Sequence, residues 1–144
     1  MKPTTMINES FALDTNILIY LEGNDPNKRK IAENLLSYDP VIPVQVVSEF
    51  INVIRRLRNI PKRQLMMETV ELFRHCLIVP IEHSTLVLAK NFIEKYDFQI
   101  FDGIIVASAL EADCNILYSE DMQHNLIVNK QLKIINPFIF DQLL

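Results

Sequence analysis

The chain has 144 residues, enough for one compact domain with a substantial core and too few for two. Hydrophobic residues make up 49% and charged residues 22%, the balance of a folded globular chain and not of a disordered one. A net charge of −4 means that any nucleic acid must be held by a local basic patch, not by the mean field of the molecule.

From the start, "MKPTTMINES" lacks an apolar signal core, and no later apolar run nears the roughly 20 residues that span a bilayer. A cytoplasmic protein with no membrane contact is expected. "SFAL" (10–13) reads as a first strand and "NILIYLEG" (16–23) as a short helix ending at Gly23. In "DPNKRKIAENLLSY" a helix starts with Asp25 at the cap and Pro26 in the first turn. "PVIP" (40–43) is a minimal strand. Residues 44–58 then set Val46, Val47, Phe50, Ile51, Val53, Ile54 and Leu57 on one broad helical arc facing a core.

A helix in "PKRQLMMETVELFRHC", a strand in "LIVPI" and a helix from about Ser84 to Tyr96 follow. "FDGIIVASALEADC" (101–114) is apolar nearly all round, a deeply buried helix whose start is expected well inside the fold. "NILYS" and "LKIIN" complete the strands, with a short helix possible in "MQHNL". Strands alternating with helices predict one α/β domain over residues 1–144. Its core is a parallel sheet of four or five strands with right-handed crossovers.

Several chemistries are excluded. Gly23 and Gly103 are the only glycines, so no GxGxxG or GxxxxGK[ST] loop cradles a phosphate. Cys76 and Cys114 are too few and too far apart for a disulfide framework or a metal knuckle and read as small hydrophobes. His75, His83 and His124 lack ligand spacing, so zinc has no candidate set.

The acids are more informative. Asp14 follows the first strand directly and opens a helix, where an aspartate also serves as an ordinary cap worth about 1 kcal/mol. Asp102 opens the apolar helix, and a carboxylate buried there must be paired or metal-bound. Asp121, beside Glu120, follows "NILY", where Ser119 can cap and both acids suit a helix start. Glu49 sits just outside the apolar arc, among Ser48, Asn52 and Arg56, where facing solvent is the simple account. In a parallel sheet the carboxyl ends of the strands share one rim, so Asp14, Asp102 and Asp121 converge there. Three or four carboxylates in one place repel unless a divalent cation neutralises them, and all-oxygen ligands point to Mg²⁺ or Mn²⁺.

Together "LDTNILIY", "VVSEFINV", "FDGIIVASAL" and "LYSEDMQHN", followed by "IINPF", resemble a PIN domain of the VapC toxin type, over Phe11 to Phe138. The resemblance implies an α/β/α sandwich and metal-dependent hydrolysis of RNA phosphodiester bonds leaving a 5′-phosphate. Carried over, Asp14, Glu49, Asp102 and Asp121 become the acidic site. Asp14 and Asp102 are the direct ligands, and Glu49 and Asp121 coordinate directly, through water, or orient the nucleophile. Thr15, Asn16, Ser48, Asn52 and Ser119 become supporting contacts. Two positions depart from the pattern: Gly103 stands where relatives usually carry Ala, and Asn125 where they carry Gly.

A ribonuclease with an acidic pocket needs positive charge near it. "RRLRNIPKR" supplies Arg55, Arg56, Arg58, Lys62 and Arg63 as RNA-binding candidates, although bases at a helix C-terminus also simply suit its dipole. The resemblance further implies a cognate antitoxin and a homodimer through apolar helix positions near residues 26–75. The competing readings are a non-catalytic PIN-like module that binds RNA or protein, and a haloacid-dehalogenase-type phosphohydrolase. The latter requires a second Asp two residues after the first, where this chain has Asn16.

Overall fold

The computed structural model describes residues 9–139; the N-terminal segment that lacks a signal core lies largely outside them. Strands β1 (Phe11–Leu13), β2 (Val41–Pro43), β3 (Leu77–Val79), β4 (Ile116–Tyr118), β5 (Ile127–Val128) and β6 (Leu132–Ile135) form one sheet in the order β3-β2-β1-β4-β6-β5. Helices α1 (Thr15–Ile19), α2 (Pro26–Leu36), α3 (Val44–Leu57), α4 (Lys62–Leu72), α5 (His83–Tyr96) and α6 (Ile100–Glu111) flank it. All pairings are parallel except β5 with β6.

The sheet thus has six strands, where the sequence predicted four or five. The addition is β5, whose two residues are too short to show an alternating pattern. It follows Asn125, which takes a left-handed conformation (φ 71°), and that turn replaces the short helix expected in "MQHNL". Asparagine tolerates this backbone better than other residues with a side chain, which suits it to a position where the resemblance implied glycine.

The sheet builds outward from β1 in two directions. The chain adds β2 and β3 on one side, then returns to place β4 and β6 on the other, so the strand order reverses between β1 and β4. At such a reversal the connections leaving the two strands diverge and open a crevice at their carboxyl ends. Leu13, Ile42, Leu117 and Ile134, all fully buried, fill the sheet's interior below it.

Helix α6 is buried at every residue from Gly103 to Leu110 and packs against α5, α3 and β2. Its first turn differs from expectation: Ile100 is 66% exposed and Phe101 56%, so the helix start protrudes from the core. Apolar residues on every side showed that the helix is surrounded, but not where the surroundings end. Leu57 departs from its predicted core arc for a similar reason, lying exposed in the last turn of α3. Near Gly103 the helices approach closely: a Cβ there would stand 2.6 Å from Ile93 Cγ1 of α5.

Candidate active site

Asp14 leaves β1 with extended backbone and donates its N–H to Tyr118 O at 2.9 Å, continuing the ladder to β4 for one more residue. Its carboxylate does cap α1, with Oδ1 accepting from Thr15 N–H at 2.7 Å. A surface cap would leave the second oxygen to water. Here Oδ2 accepts from Ser119 Oγ at 2.7 Å and from Asn16 Nδ2 at 3.2 Å, and the residue is only 4% exposed. Burial pushes the Asp14 carboxyl up to about 6, although the Ser119 and Thr15 hydrogen bonds pull the other way. Asp102 and Glu49 add to the rise by charge repulsion.

Those two acids arrive from different elements. Glu49 stands in the second turn of α3, the helix that leaves the carboxyl end of β2. It is half-buried, not solvent-facing as periodicity alone allowed. Its Oε1 accepts from Thr15 Oγ1 at 2.6 Å and its Oε2 from Gln45 Nε2 at 3.1 Å. Asp102 lies in the first turn of α6, whose other end leads into β4, so the helix start stands over the rim. Its pKa is raised by partial burial and by the charges of Glu49 and Asp121. Asp121 follows β4 and is exposed. The charges of Glu49 and Asp102 thus act on Asp14, and those of Glu49 and Asp121 on Asp102.

Of the remaining sequence-selected residues, Thr15, Asn16 and Ser119 touch the acids directly. Asn16 also accepts the Glu120 N–H at 3.0 Å, joining the exits of β1 and β4. Ser48 and Asn52 are exposed, and their hydrogen bonds stay within α3, to Val44 O and from Arg55 and Arg56. In the basic run, Arg55, Arg56, Lys62 and Arg63 are exposed, whereas Arg58 pairs with Glu68 at 2.7 Å and Glu22 at 3.7 Å. Gln45 was missed by the sequence reading. Its position four residues before Glu49 on a helix was the available signal.

The sequence matches the family model described as PIN domain over residues 11–127. The chain belongs to the PIN domain family. No curated protein matches it in sequence. In fold, this PIN domain is similar to a toxin–antitoxin complex from Klebsiella pneumoniae (TM-score 0.68, 18% identity, covering 89% of this chain and 98% of that one). It is similar also to DNA-bound VapBC from Salmonella typhimurium (0.67, 13%, 90% and 98%). A third is the sarcin-ricin-loop-cleaving toxin VapC20 of Mycobacterium tuberculosis (0.62, 15%, 78% and 90%).

The donor set of this PIN domain can be tested against a cation by its chemistry. Among the described residues, no lysine, arginine or histidine forms an ion pair with Asp14, Glu49, Asp102 or Asp121. One buried and two half-buried carboxylates are thus left without a counter-charge, and the ligand atoms that the four acids would offer are all oxygen. That combination fits a hard divalent cation. Among the described residues, no three His, Cys, Asp or Glu side chains stand close enough to hold an ion as they are placed.

Proposed function

We propose that this PIN domain is a divalent-cation-dependent endoribonuclease, the toxin of a toxin–antitoxin pair acting on cytoplasmic RNA. The observation that supports the reading is Asp14, buried at the crevice between β1 and β4 with no protein cation paired to it among the described residues and with Glu49 and Asp102 near enough for their charges to raise its pKa. Asp14 and Asp102 hold the ion, with Glu49 and Asp121 completing its surroundings. Bound there, Mg²⁺ or Mn²⁺ supplies Lewis-acid charge that activates water and offsets the charge of the phosphate.

The chain's own groups do the positioning. Ser119 and Asn16 fix one oxygen of Asp14, so that its carboxylate is presented in a single orientation. Thr15 aims Glu49 back toward the β1 exit. Burial and the charges of neighbouring acids make Asp14 and Asp102 poor as free anions and good as ligands. Arg55, Arg56, Lys62 and Arg63 attract the RNA backbone, while Arg58 is engaged within the protein.

The toxin–antitoxin assemblies among the fold relatives support a cognate antitoxin as partner. The alternative, a PIN-like module that binds RNA or protein without cutting it, draws on the open spacing of the acids. Incubating the purified chain with total RNA, with and without Mg²⁺, and mapping the ends decides between them. Mg²⁺-dependent cuts bearing 5′-phosphates are expected; intact RNA at every metal concentration favours the binding module.

A further inference from the structure

Asp121 is the least supported of the four acids. It is exposed, and no side-chain hydrogen bond fixes it among the described residues, so its direction is set by the backbone that carries it. Its place at the rim therefore depends on how the segment leaving β4 is held.

The preceding residue provides the hold. Glu120 accepts from Tyr20 Oη at 2.6 Å and from Lys28 Nζ at 2.7 Å. Lys28 also donates to Tyr20 Oη at 3.1 Å, and its ammonium lies 4.7 Å from the Tyr20 ring centre and 5.1 Å from that of Phe138. The two rings pack edge to face at 5.0 Å. Three separate parts of the chain meet here: the turn after α1, the first turn of α2 and the exit of β4. Lys28 is poorly placed for its own helix, because a positive charge in the first turn opposes the helix dipole. Its contacts give the placement another purpose.

We propose that Lys28, Tyr20 and Glu120 form a positioning clamp that sets Asp121 against Asp102 and so completes the cation site, an inference that rests on the ribonuclease reading. With the Glu120 side chain held by Lys28 and Tyr20 and its N–H bound to Asn16 at the exit of β1, the backbone that carries Asp121 is fixed from both sides. Asn16 in turn donates to Asp14, so the clamp and the ligands share one hydrogen-bonded path. Groups that orient metal ligands without touching the metal typically change its affinity by 10–100-fold when removed.

The test is Mn²⁺ binding by calorimetry on the whole chain, without RNA, alongside thermal melting. Lys28→Met is expected to weaken Mn²⁺ binding about tenfold. Lys28→Arg, which keeps the charge and the stacking, should restore it. Tyr20→Phe, which keeps the ring but loses the hydroxyl, gives a smaller loss and serves if Lys28→Met folds poorly. Variants that melt lower yet bind Mn²⁺ as tightly as the unaltered chain would make the cluster merely structural and overturn the proposal. An unaltered chain that cuts RNA in Mn²⁺ while all variants bind the ion equally overturns the clamp alone. An unaltered chain that neither binds Mn²⁺ nor cuts RNA overturns the clamp and the nuclease together.

Discussion

Thr15 Oγ1 donates to Glu49 Oε1 at 2.6 Å, tying the residue beside Asp14 to a carboxylate 34 positions later in the chain. Thr15 is buried, and its N–H serves Asp14, so one residue orients two acids. Thr15→Val keeps the shape and the backbone donor but removes the hydroxyl, leaving Glu49 held by Gln45 alone. RNA cleavage by this variant should fall about 10- to 100-fold, with Thr15→Ser recovering most of it. Single-turnover rates of the folded variants measure this, and equal rates for Val and Thr would remove the role.

The raised pKa of Asp14 couples stability to pH. Its folded-state value of about 6 lies above the ordinary value of 3.8, so the folded protein favours the protonated form. The stabilisation from proton binding is fully present below pH 3.8 and is lost as the pH rises through about 6. In metal-free buffer at pH 8, Asp14→Asn should therefore be the more stable protein. The limit is about 3 kcal/mol, reduced because the amide has one acceptor oxygen and so cannot serve both the Thr15 N–H on one side and the Ser119 and Asn16 donors on the other. Added Mg²⁺ should raise the melting temperature of the unaltered chain and not of the variant. Denaturation series at pH 4 and pH 8 check the sign.

Gly103 stands where the resemblance implied alanine, and Ile93 leaves no space for one. An alanine Cβ would sit 2.6 Å from Ile93 Cγ1 and 2.9 Å from its Cδ1. Gly103→Ala should cost about 1–3 kcal/mol of stability through overpacking, against a helix-propensity gain of at most about 1 kcal/mol. Pairing it with Ile93→Ala should cost less than the sum of the two single changes. Urea midpoints of the three variants test the coupling.

Among the described residues, Arg58 of the basic run is ion-paired, whereas Arg55, Arg56, Lys62 and Arg63 are exposed and pair with no acid. Neutralising Arg55, Arg56, Lys62 and Arg63 together should lower the salt slope of RNA binding by about 0.7 for each phosphate that they no longer neutralise. Arg58→Gln, which breaks pairs with Glu68 and Glu22, should leave that slope unchanged. Binding of RNA to the Asp14→Asn protein across a salt series provides both numbers.

What could be read from the chain follows the range of the interaction. Asp14, Thr15 and Asn16 lie together in the sequence, and a strand stopping at an acid that opens a helix is a local pattern. Asp25 as the cap of α2 is another, confirmed by its bonds from Asn27 and Lys28 N–H groups. Contacts made by the path of the chain left no such trace. Lys28 meets Glu120 across 92 positions and Thr15 meets Glu49 across 34, through a sheet order that periodicity does not specify. The exposed start of α6 misled for a physical reason: Ile100 and Phe101 are apolar but stand beyond the end of the layer that covers Gly103 to Leu110.

The central claim is that separated carboxylates act together on one cation to break a phosphodiester bond. Its most direct test is the initial rate of RNA cleavage by the unaltered chain, Asp14→Asn and Asp102→Asn, each in saturating Mg²⁺ and in excess chelator. Cleavage is predicted only for the unaltered chain with Mg²⁺, with both variants reduced by about 10³-fold or more although still folded. Equal rates in chelator, or in either folded variant, would contradict it.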